Sequence, residues 1–505
     1  MSGLLLILVG LPLSAALLLL LAPRRLGEQV AVLAGLVTAV VTLVAAVLTL
    51  AARPWDGGGP ALEVDWPWIP TLGVRAHLML DGISVPLVLL TAALGVAVLA
   101  HVAQHPPPGA SRRSLVAALL AVEGGALATF LAADLVLFFV AFEVVLVPMW
   151  AIIRWWGDPH DEPGRRDAAT RFVLYTALGS ALLLAGLLVV LLRVGTSDLV
   201  QLSLAHGRGL PVDVQVVAAA LLVTGLAVKV PVWPLHTWLP AAHTAAPTVG
   251  SVLLAGVLLK MGSYGIVRVV VPVVPAGFAE VAPFLGAFGV VGILWGGLVC
   301  LVERDLKRLI AFSSVAHMGF VALGIASGTA QGLQGALFAN VAHGVITALL
   351  FLVVGGLKDR RGSGLIADLG GGLRDARPRL GALLAIGCVA GLGLPGLAGF
   401  WGEVLAVYGA WEGPGRQPTS WRVLAVLAVV GAALAAAYLL RVLRLVWHGR
   451  PDAGQDLGGD ASRTEWWIGV PLAACTVLLG LTPWLVLRLT EPAVQALLAL
   501  SRGAV

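Results

Sequence analysis

The chain has 505 residues, of which 59% are hydrophobic and only 12% are charged, and its mean hydropathy is +0.97. Soluble domains carry about 25% charged residues, so this composition cannot build a water-facing shell and excludes a soluble enzyme, a disordered protein and a nucleic-acid binder. The formal net charge of +5 does not indicate a nucleic-acid partner, because the basic residues fall in short clusters between long apolar runs.

Long apolar runs predict an all-α polytopic membrane protein. A helix needs about 20 mostly apolar residues to cross a bilayer, and a window of that length predicts about fourteen transmembrane helices, numbered here as spans 1 to 14. In chain order, the predicted spans lie near residues 3–22, 28–52, 80–101, 114–132, 134–153, 170–194, 214–238, 248–270, 280–302, 308–327, 333–356, 380–411, 421–446 and 466–488. Spans 4 and 5 are the least clearly separated, because little besides Asp134 divides them.

Basic residues concentrate in every second connection between spans. The first run is not expected to be a cleaved signal peptide, because no basic residue precedes it and Arg24-Arg25 follow it. Most of the Lys and Arg residues fall on the same side as this pair, for example in Arg112-Arg113, Arg165-Arg166 and Arg360-Arg361. The positive-inside rule therefore predicts that both chain termini lie on the extracytoplasmic side.

Two connections are long enough to be described as loops. Residues 53–77 are predicted as an extracytoplasmic loop that contains Pro54 and Gly57 and carries Trp66 and Trp68 as interfacial anchors. Residues 449–463 are polar and are predicted as a surface loop on the cytoplasmic side.

Ionisable residues inside the predicted spans are the strongest functional signal. A charged group at the centre of a spanning helix costs at least about 2.5–3.5 kcal/mol, so it persists where it is paired or faces water, and it marks an ion path. The residues of this kind are Glu123, Glu143, Lys229, Lys260, His317, His343 and Glu403. For any single one of them, a static ion pair between helices is the alternative; the whole set on successive spans favours proton transfer.

The residue types fit that chemistry. Only four of the 32 Lys and Arg residues are lysines, and two of these, Lys229 and Lys260, lie within apolar runs. A desolvated lysine holds its proton less tightly and a nearby carboxylate restores the binding, so a Glu/Lys pair that opens and closes can release and capture a proton. Arginine stays charged and cannot do this, whereas histidine relays protons near neutral pH.

Other motifs are interpreted as structural. His236 and His243 are expected to line a wet path, or to bond backbone groups at a helix break, rather than to bind a metal. Asp81 and Asp134 lie near span ends and are expected to be structural or interfacial. The run Gly391–Gly396 matches a dinucleotide-binding pattern but follows no strand, so no nucleotide site is predicted. No zinc, iron–sulfur or disulfide spacing joins the three cysteines, which are Cys300, Cys388 and Cys475.

Prolines interrupt two spans at matching places. Pro231 lies in span 7 and Pro395 in span 12, and a proline within a spanning helix frees carbonyl groups that need protein or water partners. Span 7 is the fourth of spans 4–8, and span 12 is the fourth of spans 9–13. Because five is an odd number, two such units predict an inverted repeat. The resulting regions are 1–113, with spans 1–3; 114–272, the first five-helix repeat; 273–447, the second; and 448–505, with the cytoplasmic loop and span 14.

Long motifs carry a resemblance to a known family. The run from Val230 to Ser251, together with Lys260-Met-Gly-Ser-Tyr-Gly265, resembles the hallmark of the antiporter-like subunits of respiratory complex I, which share it with Mrp-type cation/proton antiporters. The segments Phe142–Met149 and Asp305–Phe320 extend the likeness over nearly the whole chain. Among the L, M and N types of subunit, the M type of NADH-quinone oxidoreductase is indicated, because Glu403 stands where the L and N types typically carry lysine.

The resemblance implies roles for the ionisable residues. Glu143 and Lys229 would form the charge pair that gates one half-channel. Lys260 would link the two halves with the help of His317 and His343. Glu403 would be the terminal proton site, and Glu123 a secondary carboxylate on the side of a neighbouring subunit.

The resemblance also implies a setting. Quinone reduction elsewhere in the complex would drive the proton transfer, and this chain would hold no cofactor, since the flavin, the iron–sulfur clusters and the quinone would belong to partner subunits. The expected partners are the other membrane subunits, including the L and N types, and the lipid of a bacterial plasma membrane. The alternatives are a subunit of an Mrp-type sodium/proton antiporter or of a membrane-bound hydrogenase, a scaffold that translocates nothing, and a stand-alone solute carrier.

Overall fold

The structure, a computed structural model, describes residues 2–23, 27–51, 55, 58–413, 418–449 and 459–502. Arg24, Arg25, Pro54, Gly57 and most of the predicted surface loop at 449–463 therefore lie outside the described residues.

The N-terminal region consists of three helices and a β-hairpin. Its elements are α1 (Gly3–Leu21), α2 (Glu28–Thr49), β1 (Leu62–Ile69), β2 (Val74–Leu80) and α3 (Val85–Gln104).

The next region contains two helices that are interrupted within the membrane-spanning part. Its elements are α4 (Arg112–Leu131), α5 (Leu135–Val144), α6 (Leu146–Trp156), α7 (Glu162–Val194), α8 (Leu199–Ala205), α9 (Val212–Lys229), α10 (Trp238–Ala245), α11 (Thr248–Leu253), α12 (Leu259–Gly265) and α13 (Val271–Val273). Two π-helical turns, Leu254–Leu258 and Ile266–Val270, join α11 to α12 and α12 to α13, so that these three segments form one continuous span.

The remaining region again contains an interrupted helix. Its elements are α14 (Pro275–Val302), α15 (Leu306–Ala326), α16 (Ala330–Arg361), α17 (Ile366–Leu369), α18 (Leu373–Ala376), α19 (Pro378–Gly391), α20 (Ala398–Glu412), α21 (Pro418–Val442), α22 (Arg463–Leu481) and α23 (Trp484–Arg502). A π-helical segment, Leu443–His448, extends α21.

The prediction of an all-α polytopic protein is confirmed. Within the described residues, 13 helices or helix groups are long and apolar enough to cross a membrane, and the short apolar helix α19 accounts for the first half of predicted span 12. Helix α16 and the group α11–α13 are almost fully enclosed by protein, whereas α1, α7 and α21 expose most of their residues, as expected of helices that face lipid. The inverted relation between the two five-helix units, and the division of the chain into regions, stay predictions.

The β-hairpin was not predicted. Strands β1 and β2 pair antiparallel, with Leu62 opposite Leu80 and Asp65 opposite His77. A turn at Pro70–Leu72 followed by Gly73, whose φ is +66°, reverses the chain, and a residue without a side chain adopts this angle without strain. Trp66 and Trp68 are exposed on β1, in keeping with their predicted position at an interface.

The predicted end of span 14 is wrong. The helix ends at Leu481 rather than near residue 488, because Thr482-Pro483 breaks it, and a separate helix, α23, begins at Trp484. Helix α23 is amphipathic. Its buried positions recur at helical spacing and include Val486, Thr490, Val494 and Leu497, and Thr490 Oγ1 donates to Gln334 Oε1 at 2.5 Å. Hydropathy averaged over a window does not register such a break.

Glycines allow the close approach of neighbouring helices. A Cβ atom on Gly225 of α9 would lie 2.6 Å from the carbonyl oxygen of Gly179 on α7, and one on Gly319 of α15 would lie 2.5 Å from that of Gly289 on α14. Since lipid chains are as apolar as leucine, helices in a membrane associate largely through such close van der Waals packing. These two contacts fix helices on either side of the first proline-containing break.

A buried ion pair ties the hairpin to the helix group α11–α13. Asp81 follows β2, and its Oδ2 lies 2.5 Å from Nη2 of Arg268; the two side chains are 5% and 13% exposed. Burial alone would raise the pKa of Asp81, but the Arg268 guanidinium and the backbone N–H groups of Ile83 and Ser84 hold that pKa below its ordinary value. This confirms the structural interpretation of Asp81.

Removing one partner of this pair is expected to destabilise the fold. Arg268→Met leaves an unpaired buried carboxylate and should lower the free energy of unfolding by about 3–5 kcal/mol, seen as a lower thermal unfolding temperature of the detergent-solubilised protein. Because the folded-state pKa of Asp81 is depressed, the pair's stabilisation is fully present above the ordinary carboxyl pKa of about 4 and is lost as the pH falls through the lower folded value.

An exposed ion pair provides the control. Arg171→Met removes the contact of 2.7 Å with Asp167 on the surface of α7, and it should change the stability by less than about 1 kcal/mol. Equal effects of Arg268→Met and Arg171→Met would show that the pair with Asp81 is not a structural tie.

Candidate functional site

The predicted break in span 7 is present. Helix α9 ends at Lys229 and α10 begins at Trp238, with Pro231 and Pro234 between them. Because proline has no N–H group, it cannot continue the helical hydrogen-bond ladder. The indole N–H of Trp238 instead donates to the carbonyl oxygen of Val228 at 2.9 Å, so that a carbonyl freed by the break is satisfied by protein.

Lys229 lies at this break and is enclosed by aromatic and backbone groups. Its side chain is 3% exposed, its Nζ donates to the carbonyl oxygen of Phe142 at 3.0 Å, and the same Nζ lies 3.5 Å from the centre of the Phe142 ring. A cation over an aromatic face is stabilised by the ring quadrupole, more so where water is excluded. Phe142 therefore gives the charged lysine a resting place that is independent of any carboxylate.

Glu143 is the next residue after Phe142, but it faces a different partner. The Ser180 hydroxyl on α7 donates to its Oε1. Helix α5 ends at Val144, beside this residue, because Pro148 cannot donate to the Val144 carbonyl. Among the described side chains, Glu143 and Lys229 form no direct ion pair, although the carboxylate is near enough to attract the amine electrostatically. The structure thus brings the two residues into one region with separate immediate partners.

Lys260 is the most enclosed of the predicted proton-transfer residues. It lies in α12, between the two π-helical turns, and it is fully buried. Its Nζ contacts the carbonyl oxygen of Ala255, in the first π-helical turn, and it lies 2.6 Å from Nδ1 of His343 on α16. A π-helical turn presents carbonyl groups outside the regular ladder and is common at functional sites.

Two histidines continue the row from Lys260 to Glu403. The rings of His343 and His317 lie 6.0 Å apart between centroids, and Nε2 of His317 lies 3.4 Å from Oε1 of Glu403. A small cavity of about 30 Å³ lies between these three side chains. Lys260, His343, His317 and Glu403 therefore follow one another as neighbours across four helices.

Glu403 lies just after the second break, which is also present. Helix α19 ends at Gly391 and α20 begins at Ala398, with Pro395 between them. Nε2 of His317 lies 3.1 Å from the carbonyl oxygen of Gly391, which the break leaves free. Gly393 adopts a φ of +71°, and a Cβ atom there would lie 2.8 Å from Oε2 of Glu403, so only glycine leaves room for the carboxylate.

Among the described contacts, Glu123 does not contact the residues of this row. It is 1% exposed on α4, where it packs against Gly95 of α3, and neither carboxylate oxygen has a hydrogen-bond partner. In the isolated chain this carboxylate is enclosed. Its expected role beside a neighbouring subunit stays a prediction.

The two histidines of the span 7 motif have different surroundings. His236 lines a cavity of about 620 Å³ with Thr237, Arg308 and Phe312. His243 is fully buried and stacks on Phe351, with ring centroids 4.5 Å apart, and neither of its ring nitrogens has a partner. Within the described residues, no three His, Cys, Asp or Glu side chains are grouped so that they could hold a metal ion.

Several partners of these residues were not predicted. Phe142 and Ser180 were missed as the contacts of Lys229 and Glu143, since neither carries a signal that distinguishes it from an ordinary core residue. Lys307 lies between predicted spans 9 and 10, where a loop is expected, yet it is buried at the start of α15 and donates to the carbonyl oxygen of Ala246 at 2.5 Å. Its wholly apolar neighbours at one helical turn, Ile310 and Ala311, were the available signal.

The site therefore consists of amines, carboxylates and imidazoles enclosed in a bundle of apolar helices, two of which are broken beside a charged residue. This arrangement is typical of membrane transporters that move ions at mid-membrane. It defines the chain as an antiporter-like membrane protein.

Comparison with known proteins gives the family. Residues 132–435 match the sequence profile of the family described as NADH:quinone oxidoreductase/Mrp antiporter, TM, and the chain belongs to this family. It is 38% identical to NADH-quinone oxidoreductase subunit M of Rhodobacter capsulatus over 98% of this chain and 96% of that protein. It is 39% identical to an NAD(P)H-quinone oxidoreductase chain 4 of Synechococcus sp. (strain JA-3-3Ab) over 87% and 82% of the two chains.

Solved structures agree with the fold. A chain of respiratory complex I from Thermus thermophilus superposes with a TM-score of 0.85 at 31% identity, covering 99% of each chain. A chain of the Mrp complex from Dietzia sp. DQ12-45-1b has the same TM-score at 23% identity and covers 98% and 97% of the two chains, which shows a common fold. The predicted resemblance to this family is confirmed.

Proposed function

We propose that this chain is a proton-translocating membrane subunit of an NADH:quinone oxidoreductase, of the subunit M type. The observation that carries this function is the row of neighbouring residues Lys260, His343, His317 and Glu403, buried within a chain that is 38% identical to a named subunit M over nearly its whole length. Proton transfer requires donors and acceptors close together, and enclosure in apolar helices prevents leakage to water. The Mrp complex at 23% identity shares the fold and does not favour the antiporter alternative.

The assembly follows from the family. The chain works within a multi-subunit membrane complex, beside other membrane subunits that include the L and N types. The flavin, the iron–sulfur clusters and the quinone are held by other subunits of the complex. The membrane is the bacterial plasma membrane, with both termini on the extracytoplasmic side, as the distribution of basic residues indicates.

The proposed proton path has two ends with different chemistry, the pair Lys229 and Glu143 and the row that runs from Lys260 to Glu403. At one end, Lys229 contacts Phe142 and Glu143 contacts Ser180, so the amine and the carboxylate are not paired with each other. When Lys229 leaves Phe142 and Glu143 leaves Ser180, the two can pair, and the pairing changes how tightly the lysine holds its proton. At the other end, His317 and Glu403 take up the proton that Lys260 and His343 release. The redox reaction in the partner subunits drives this sequence.

Replacing Glu143 tests the proposed function. Glu143→Gln keeps the size of the side chain and its hydrogen bond with Ser180 but removes the negative charge that strengthens proton binding by Lys229. NADH-driven proton translocation by membrane vesicles should therefore fall by at least about fivefold. The electric potential and pH gradient across the vesicles are measured with dyes, alongside NADH oxidation.

The matched control is Glu162→Gln, which neutralises an exposed carboxylate 3.7 Å from Arg154 at the start of α7. It should translocate protons at the parental rate. Parental translocation by an assembled Glu143→Gln complex would remove Glu143 from the mechanism. Failure of the chain to co-purify with quinone oxidoreductase subunits would overturn the proposed assembly.

A further inference from the structure

A cavity of about 520 Å³ lies on the face of the molecule that carries the basic connections. Its wall is formed by the C-terminal ends of α3, α6 and α16 and by the N-terminal ends of α11, α15 and α22. By the positive-inside rule this face is cytoplasmic. The wall is rich in ionisable side chains, unlike the rest of the apolar bundle.

Two histidines at the C-terminal end of α3 line this cavity, and one nitrogen of each ring has no hydrogen-bond partner. His101 and His105 are one helical turn apart, and their rings lie 5.1 Å apart between centroids with a tilt of 30°. His101 is 3% exposed, and Nδ1 of each ring is buried without a hydrogen-bond partner. A ring nitrogen without a hydrogen-bond partner is free to accept a proton.

The charged groups around the pair are engaged with one another. The Lys358 amine lies 2.6 Å from Asp158, and the Arg360 guanidinium makes two hydrogen bonds to Glu465, at 2.6 and 2.8 Å. Asp359 accepts a hydrogen bond from Thr248 at 3.4 Å. His160, in the connection between α6 and α7, is exposed at the rim. These pairs balance cations with carboxylates, so the cavity does not select an anion.

The cavity also reaches toward the buried row. Lys307 lies in its wall, and His243 interacts electrostatically with both Lys307 and Lys260. Both ring nitrogens of His243 lack hydrogen-bond partners. We therefore expect this ring to pass protons between Lys307 in the cavity wall and Lys260. Helix α3 lies outside the matched family segment at residues 132–435.

We propose that His101 and His105 form a proton-collecting site, which takes protons from hydronium or from small buffer acids in the cytoplasm and supplies them through Lys307 and His243 to Lys260. A proton moves from the acid to a ring of this pair and gives an imidazolium; it then leaves the ring toward the interior and restores the neutral imidazole. This inference rests on the proposed function, because it names where the translocated proton is loaded. Among the described residues, the two histidines are not part of a group of three His, Cys, Asp or Glu side chains that could hold a metal ion.

The test uses the intact complex in membrane vesicles and the double variant His101→Gln/His105→Gln. Proton translocation should fall by about tenfold at pH 8, where protons are scarce, and little at pH 6. Added imidazole, a soluble proton carrier, should restore the rate at pH 8, which it would not do for a structural defect. His105→Gln alone replaces the less buried ring and should show a smaller loss with the same pH dependence. This single variant replaces the double variant in the test if the double variant does not assemble.

The control is His448→Gln, which replaces an exposed histidine on the same predicted face, outside the cavity, and should leave the pH profile unchanged. Parental translocation by the histidine variants at pH 8, or a loss that imidazole does not restore, would overturn the collecting site. Lys229→Met is measured in parallel: if it abolishes translocation while the histidine variants are normal, the collecting site fails and the proposed function stands. If Lys229→Met is also normal, the proposed function itself fails.

Discussion

Replacing Lys229 with arginine is expected to lower proton translocation by at least about tenfold, as does replacing it with methionine, because the site needs a group that releases its proton. Arginine retains the positive charge, can lie over the Phe142 ring and can pair with Glu143, but it stays protonated. An ion pair that only holds helices together would accept arginine. The measurement is NADH-driven acidification or alkalinisation of membrane vesicles, normalised to the amount of assembled complex.

Two outcomes separate the interpretations. If Lys229→Arg translocates protons at the parental rate while Lys229→Met does not, the lysine is a structural cation and the acid–base role is wrong. The control is Thr224→Val, on the same helix, whose side chain is exposed on the surface of α9. It should match the parent in assembly and in translocation, which shows that α9 tolerates a substitution of comparable size.

The positions of the buried ionisable residues could be predicted because charge inside an apolar run is a strong contrast. Lys229, Lys260 and Glu403 stand out in this way, and the prolines at 231 and 395 mark the breaks beside the first and the last of them. These features depend on hydropathy and covalent geometry, which are local properties of the chain. The spatial order of the row could not be predicted, because Lys260 of span 8 contacts His343 of span 11, and His317 of span 10 lies next to Glu403.

The contacts of those residues could not be predicted, because they depend on how helices cross. That Lys229 rests on Phe142, rather than on the adjacent Glu143, follows from the rotation of α5 against α9, which no sequence period determines. The π-helical turns on either side of Lys260 leave no mark in composition. Lys307 looked like a loop residue because it lies within Asp305–Arg308, and only the packing of α15 against α10 shows that it is buried.

The geometry of the row limits which step can control transfer. Nζ of Lys260 touches Nδ1 of His343 at 2.6 Å, whereas the rings of His343 and His317 lie 6.0 Å apart and His317 lies 3.4 Å from Glu403. Nε2 of His343 lacks a hydrogen-bond partner, and no hydrogen bond joins the two rings among the described contacts, so the row is interrupted between the two histidines. A proton crosses this gap only when a water molecule or a ring rotation bridges it, so the interval between His343 and His317 is the natural place for a gate.

Replacing His343 with glutamine tests whether this ring carries the proton or merely positions Lys260. A protonated Lys260 donates to Nδ1 of His343, so the ring proton is then on Nε2, on the opposite edge. Glutamine offers Lys260 an acceptor oxygen but cannot take a proton at one edge and release it at the other. His343→Gln should therefore reduce translocation by at least about tenfold, as His343→Leu does.

The nearest control is Thr347→Val, one turn along α16, because the Thr347 hydroxyl bonds only the His343 carbonyl among the described contacts. It should keep translocation near the parental rate. If His343→Gln is as active as the parent while His343→Leu is inactive, the imidazole serves only as an acceptor for Lys260, and the proton must reach Glu403 without His343. If both variants assemble normally and both lose translocation, residue 343 must bind a proton on one edge of its side chain and release one from the other edge. Among the natural side chains, this is the property of histidine.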